Sequence, residues 1–135
     1  MNQKVQRLSV KGIVYHDGKI FMLKDSKDMW EFPGGRIDFG ECPKESLKRE
    51  FMEELGVKKI AVGDIINIWD FVVDAEDDSY HFVLVVFECK ADLSNINLSD
   101  EHLEYKWIEL DKIQDYPMRN GYIESIEKFK QLKKI

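Results

Sequence analysis

The sequence has no apolar run approaching the roughly 20 residues of a membrane helix, and its start, MNQKVQRLSV, lacks the long apolar segment of a secretory signal. Neither membrane insertion nor export is expected, and the cytoplasm is the expected compartment. Cysteine is scarce: Cys42 and Cys89 lie far apart and match no C-x-x-C or similar metal spacing. That pattern argues for reduced thiols and against a disulfide framework. Positive charge is in deficit too, with 20 Lys+Arg against 26 Asp+Glu and a net charge of −6. A broad electrostatic grip on long nucleic acid or on an anionic membrane is therefore not expected. Only 3 Pro and 8 Gly interrupt the 135 residues, and no internal repeat or linker divides them. Residues 1–135 are expected to form one domain around one core. A small anionic substrate stays open, because bound cations reverse the local sign of an acidic site.

The apolar pattern opens as a β-hairpin. Leu8 to Tyr15 reads as a strand, Asp17-Gly18 as a two-residue turn and Lys19 to Leu23 as the return strand. Trp30-Glu31-Phe32 is a short aromatic strand, and Pro33-Gly34-Gly35 predicts a tight turn that exposes backbone. From Pro43 to Leu55 the period becomes helical: Pro43 suits the first turn, Leu47, Phe51 and Leu55 recur every fourth residue, and Gly56 stands at the cap. Ile60 to Val73 and Tyr80 to Lys90 predict a longer hairpin around the acidic turn Asp74 to Asp78, and Asp92 to Leu103 a polar loop. Tyr105 to Ile108 returns to strand, and Gly121 to Lys133 predicts an amphipathic terminal helix. Hairpins mixed irregularly with helices favour antiparallel or mixed pairing over a doubly wound parallel sheet.

Glu50, Glu53 and Glu54 fall within roughly a 100° arc of the first helix, beside the apolar arc of Leu47, Phe51 and Leu55. Like charges so close repel, and a Glu-rich helix is most simply a solvated face with Lys48 and Arg49 as partners. A glycine-rich turn just before this helix changes the weighting. Grouped oxygen ligands suit hard cations such as Mg²⁺ or Mn²⁺, which keep sites for water and substrate phosphates. Glycines allow a ligand to approach the backbone. Together these point to metal-assisted phosphate chemistry.

Gly35, Glu41 and Arg49-Glu50-Phe51-Met52-Glu53-Glu54-Leu55-Gly56-Val57 resemble the Nudix box, G-x5-E-x7-R-E-U-x-E-E-x-G-U with U bulky and apolar, at every fixed position. A chance match is on the order of one in a billion per starting point. The flanking Trp30-Glu31-Phe32-Pro33-Gly34 and Trp107 also look like the family. The resemblance implies an α/β (α+β type) fold, an α/β/α sandwich around a mixed central sheet, and hydrolysis of a phosphoanhydride in a nucleoside diphosphate-linked substrate. It implies that Glu50, Glu53 and Glu54 bind metal, Mg²⁺ or Mn²⁺, with Glu50 also the base that activates water. Glu41 would pair with Arg49 to orient Glu50, and the Gly34 carbonyl would be a further ligand. A late acidic ligand is expected before Trp107, with Glu101 preferred over Glu104.

Substrate markers are sparse. The proline that accompanies ADP-ribose hydrolases and the tyrosine of diadenosine polyphosphate hydrolases are not seen at their expected places. Tyr116 to Asn120 is similar to the segment where MutT-type members carry a base-reading asparagine, though offset by two residues. Asn120 is thus a candidate base reader, against the plainer role of helix N-cap. Arg36 is a candidate phosphate contact. Among Trp69, Phe71, Tyr80 and Phe82 a base-stacking residue could lie, although such strand aromatics are mostly core. His16, His81 and His102 have no soft-metal spacing and read as surface or packing residues. The leading expectation is a Mg²⁺-dependent nucleotide pyrophosphohydrolase acting on a small nucleotide, including a nucleoside triphosphate cut to NMP and pyrophosphate. The alternatives are a nucleotide-sugar or dinucleoside polyphosphate hydrolase, RNA decapping, and a non-catalytic nucleotide sensor. A homodimer is a weaker expectation from the family.

Overall fold

The structure is a computed structural model, and it describes residues 2–100, 102 and 104–135. β1 (Gln3–His16) and β2 (Lys19–Lys24) make the opening hairpin. Asp17 and Gly18 adopt φ of 49° and 78°, the positive angles that the twist-matched two-residue turn requires. β1 begins well before its apolar stretch because it pairs in parallel with β6 (Asp78–Ala91) from Gln3↔Asp78 to Val14↔Cys89. β6 in turn pairs antiparallel with β5 (Ile60–Asp74), the expected long hairpin, with register shifts between Val62 and Asn67.

The Pro33-Gly34-Gly35 segment departs from expectation. Where the glycines predict a turn, the chain forms β4 (Gly34–Arg36), antiparallel to β1 through Lys11↔Gly34, Val10↔Gly35 and Ser9↔Arg36. The remaining strands, β3 (Trp30–Glu31) and β7 (Glu104–Glu109), flank β2, so among the described residues seven strands make one mixed sheet. A 3-10 helix, Leu110–Asp115, follows β7 directly and turns Ile113 into the core, with Leu110 packed beside it.

Helices cover both faces, which is the expected α/β/α sandwich. α1 (Pro43–Leu55) spans the predicted range, and Gly56 closes it at φ 69°, its N–H donated to the Met52 carbonyl and that of Val57 to the Phe51 carbonyl. Leu47, Phe51 and Leu55 bury completely against Val10, Val14, Phe21 and Phe87. α2 (Asn120–Lys133) packs Tyr122, Ile126 and Phe129 on the other face, against Ile13, Trp69 and Val86. β1 serves both: Val10 and Val14 point to α1, Ile13 to α2. Among the described residues no helix is long and apolar enough to cross a membrane.

Removing a fully buried ring leaves a cavity that the sheet cannot refill. Phe51→Ala should lower stability by about 3–5 kcal/mol, and Leu132→Ala, on the exposed side of α2, by less than about 0.5 kcal/mol. Urea midpoints at constant m-value check both.

Candidate active site

The cleft between β4 and α1 is built by close approach of backbone. Gly34 has φ 145°, a region that favours glycine, and a methyl there would overlap the Val10 carbonyl oxygen across the β1–β4 pair. A methyl on Gly35 would stand within 2.5 Å of the Glu50 carboxylate. The first glycine lets β4 lie on β1, and the second leaves room for Glu50.

Arg49 organises the carboxylates. Its Nε donates to Glu41 Oε2 at 2.7 Å and its Nη2 to Glu41 Oε1 at 3.0 Å, a bidentate pair. Nη1 donates to Glu50 Oε1 at 2.9 Å and to Glu53 Oε2 at 3.1 Å, and Nη2 also reaches the Arg36 carbonyl at 2.9 Å. Glu41 further accepts the Ser46 hydroxyl at 2.6 Å and the Asp38 N–H at 2.9 Å. These hydrogen bonds, that from Arg49 first, hold its carboxyl at about 2 against an ordinary 4.5. Glu41 and Arg49 are thus paired, with Arg49 also hydrogen-bonded to Glu50.

The three glutamates are graded in exposure. The Glu53 side chain is 59% exposed, Glu50 15% and Glu54 4%. Burial pushes the Glu50 carboxyl up, opposed by the hydrogen bond from Arg49. Burial drives Glu54 further, to about 7, against the pull of Lys11 and of the Gly34 N–H, which donates to Glu54 Oε1 at 2.7 Å. The helical arc alone predicts one charged face; tertiary packing puts Glu54 inside instead.

Gly34, Gly35, Arg36, Glu50, Glu53, Glu54 and Ser99 line one cleft of about 420 Å³. Arg36 is therefore beside the carboxylates, where a phosphate contact is expected. Among the described residues no set of three or more His, Cys, Asp or Glu is already gathered around one cation position. Glu50 and Glu53 are turned to Arg49, and Glu54 to Gly34. In donor chemistry the set fits a hard divalent ion, since it is all oxygen and shares a recess with room for water and phosphate. Glu104 points elsewhere, paired with Lys24 at 2.7 Å, and Glu101 lies outside the described residues.

Residues that spacing does not single out connect this cleft to a second recess. His102 Nε2 lies 2.8 Å from Glu31 Oε1, while Nδ1 stands 3.3 Å from Glu54 Oε2 without hydrogen-bond alignment. Burial works against the imidazolium, but Glu31 and Glu54 hold its pKa above the ordinary value. Lys11 Nζ stands 3.8 Å from Glu31 Oε2. Lys11, Glu31, Trp30, Phe71, Phe82, Arg119 and Tyr122 line the second cavity, about 200 Å³. Phe71 and Phe82 stack there at 5.0 Å, and the Arg119 guanidinium lies 3.9 Å above Phe71. Of the four candidate aromatics, Trp69 is core under Gly121, and Tyr80 stacks on Phe82 at 6.1 Å but lines a separate recess with Val5, Val72 and His81. Asn120 is neither cap nor cavity residue: it is the exposed first residue of α2, Arg119 is the N-cap, and it is Arg119 that lines the cavity. No local pattern marks Lys11 or His102, since their partners are distant in sequence.

Comparison with known proteins identifies the family. The NUDIX domain family model matches residues 5–129, so the chain belongs to the Nudix family and is a Nudix pyrophosphohydrolase. Members generally need a divalent metal. The nucleoside triphosphatase NudI of Escherichia coli O139:H28 is 24% identical over 127 residues, covering 84% of this chain and 89% of its own. The MutT protein of Methanosarcina mazei Go1 superposes over the whole of both chains at 26% identity and a TM-score of 0.82. A Caenorhabditis elegans Ap4A hydrolase shares the fold at 22% identity and a TM-score of 0.66, over 95% of this chain and 96% of its own.

The two glycines should separate folding from chemistry. Gly34→Ala meets backbone at a strained φ and should cost about 1–3 kcal/mol or more. Gly35→Ala meets only a movable carboxylate, so denaturation midpoints should change little while turnover falls about 100-fold through the displaced Glu50. Glu41 sets a pH dependence. Its folded-state pKa is depressed, so the stability it contributes is fully present above pH 4.5 and is lost as pH falls from 4.5 to about 2. Thermal melts should show Glu41→Gln with a flatter acid limb than the wild type in that window.

Proposed function

We propose that residues 1–135 form one Nudix domain that hydrolyses a nucleoside triphosphate to NMP and pyrophosphate. The observation that carries this reading is the pairing of two recesses. A carboxylate cleft suits a metal-bound phosphate chain, and an aromatic, cationic cavity beside it suits a nucleoside. β1 and β4 join them through Lys11↔Gly34, and His102 links them between Glu31 and Glu54. The triphosphatase activity in the name of the E. coli relative supports the same substrate class.

Glu50, Glu53, Glu54 and the Gly34 carbonyl would hold Mg²⁺, which Mn²⁺ could replace, with Glu101 as a further acidic ligand. Bound there, the ion polarises phosphoryl oxygens, offsets developing charge and lowers the pKa of water. Glu50 takes the proton from the attacking water. Burial makes its carboxylate more basic than a free one, and the Arg49 hydrogen bond aims it. Water oxygen bonds to one phosphorus of the anhydride as its bridging P–O bond breaks, and the group on the far side of that bridge, NMP or pyrophosphate, leaves with the bond's electron pair. Arg36, at the mouth of the cleft, is placed to neutralise phosphate oxygens. Asn120, one residue beyond the cavity-lining Arg119, remains a candidate for contact with a bound nucleoside.

A cytoplasmic location fits the free thiols Cys42 and Cys89. A homodimer is supported by the terminal position of β5 in the sheet order and by Ile65, Ile68 and Val72 exposed along it.

Chromatography of products from a nucleotide panel with Mg²⁺ or Mn²⁺ tests the reaction. Release of pyrophosphate supports it; a second phosphorylated organic product transfers the assignment to a nucleotide-sugar or dinucleoside polyphosphate hydrolase; tight binding without turnover indicates a sensor. On the active substrate, Glu50→Gln and Glu53→Gln should each lower kcat by about 100-fold to 10,000-fold with an unchanged melting profile. Near-normal rates would remove both residues from the mechanism.

A further inference from the structure

Lys11 is an unusual lining residue. It is 7% exposed, it sits mid-strand in β1, and it faces the aromatic cavity together with Ser9 and Tyr122. Taking an ammonium and a carboxylate out of water costs several kcal/mol per ion, so a buried pair is often replaceable by apolar side chains without loss of stability. Here the pair is also imperfect. At 3.8 Å the Lys11–Glu31 separation exceeds a hydrogen bond, which leaves N–H donors available to a ligand. Glu31 is fixed from its other side, since Oε1 engages His102 at 2.8 Å and Oε2 is the oxygen nearest Lys11.

We propose that Lys11 and Glu31 read the nucleobase as a donor–acceptor pair, selecting bases with a carbonyl oxygen beside a ring N–H, namely uracil, thymine or guanine, over cytosine and adenine. The inference rests on the reading that a nucleoside occupies the cavity. Lys11 has donors only, and Glu31, when ionised, has acceptors only. Both stay charged: burial opposes each charge, but Glu31 and Lys11 hold one another ionised. A base presenting C=O to Lys11 and N–H to Glu31 makes two charge-assisted hydrogen bonds with neither ion left unpaired. Seated in the orientation that places a uracil carbonyl at Lys11, as its identical ribose and phosphate chain would hold it, cytosine presents the reverse pattern, its amino group against the ammonium and its bare ring nitrogen against the carboxylate. Both contacts are then repulsive, which is discrimination by penalty as well as by attraction. The stacked Phe71 and Phe82, with Arg119 over Phe71, supply ring contacts that any base could use. The edge pair therefore carries the choice.

UTP and CTP differ only along this edge and share the same phosphate chain, so they form the test. The full-length protein is titrated calorimetrically with UMP and with CMP, and kcat/KM is measured for UTP and CTP with Mg²⁺. UMP should bind about tenfold or more tighter than CMP, and UTP should be favoured by a similar ratio. Lys11→Met should bring both ratios to within about twofold. Because each ratio compares two ligands on one enzyme, a general loss of folded protein does not move it. Should Lys11→Met fail to fold, the isosteric Glu31→Gln gives the second measurement, since an amide can present oxygen or nitrogen to either base and should relax the preference. Equal binding, preference for CMP, binding of neither, or a wild-type ratio retained in the variants would overturn the inference. UMP preference without turnover of any triphosphate would leave it standing and remove the proposed reaction instead.

Discussion

The Arg49 guanidinium directs its N–H donors to Glu41, Glu50, Glu53 and the Arg36 carbonyl at once, and the cleft depends on that arrangement. Without a cation at its centre, three glutamates on one helix would repel one another and splay toward water. Arg49 supplies the compensating charge from within the same helix. It also ties α1 to the loop that carries Glu41 and to β4. A lysine could supply the charge but not the geometry, because only the planar fork can hold Glu41 through two parallel bonds while reaching Glu50 and Glu53 from its other edge. The crowding noted in the sequence is thus tolerable even before a metal is considered.

Behind the exposed edge of this cluster the charges continue inward as Glu54, His102, Glu31 and Lys11. Each is largely withdrawn from solvent, so each depends on the next for its ionisation state. Acidic and basic groups alternate along it, which is why burial does not simply neutralise it: Lys11 and Glu31 hold one another ionised, and Glu31 and Glu54 raise the His102 pKa above its ordinary value. Glu54 lies where the compensation is weakest, and burial prevails there. The consequence is electrostatic contact between two recesses, one that holds oxygen ligands and one that holds aromatic rings.

Much of this was legible in the sequence, for reasons that differ by element. α1 was readable to the residue because its signals are local and concordant: Pro43 at the start, a fourfold apolar repeat and Gly56 at the cap. Glu41, Arg49 and Glu50 were readable because their spacing is fixed by one helix and the loop that enters it. The β4 strand was not, since glycines report freedom of backbone but not which strand the freed backbone will approach. Parallel pairing with β6 extended β1 beyond its apolar core, and such long-range pairing leaves no local mark. Lys11 was passed over, and His102 read as a surface or packing residue, for the same reason. A polar residue on a strand or in a loop acquires its role from partners dozens of positions away, and nothing within its own window distinguishes it from a solvated one.

β1 explains how the two recesses can differ in chemistry while remaining adjacent. Alternate residues of a strand point to opposite faces. Val10, Gly12 and Val14 lie on the α1 side, where Gly12 leaves space for the Phe51 ring, and Ser9, Lys11 and Ile13 lie on the α2 side. One strand thereby supports the carboxylate helix on one face and presents Lys11 to the aromatic cavity on the other. A register slip of one residue would send Lys11 into the apolar contact with α1 and Val10 into the cavity. The β1–β4 and β1–β6 pairings, which fix that register on both edges of β1, therefore fix the relation between the recesses as well. It follows that side chains facing the cavity can change without disturbing the face that carries Glu50 and Arg49, so recognition can vary on this scaffold while the hydrolytic geometry is conserved by the backbone.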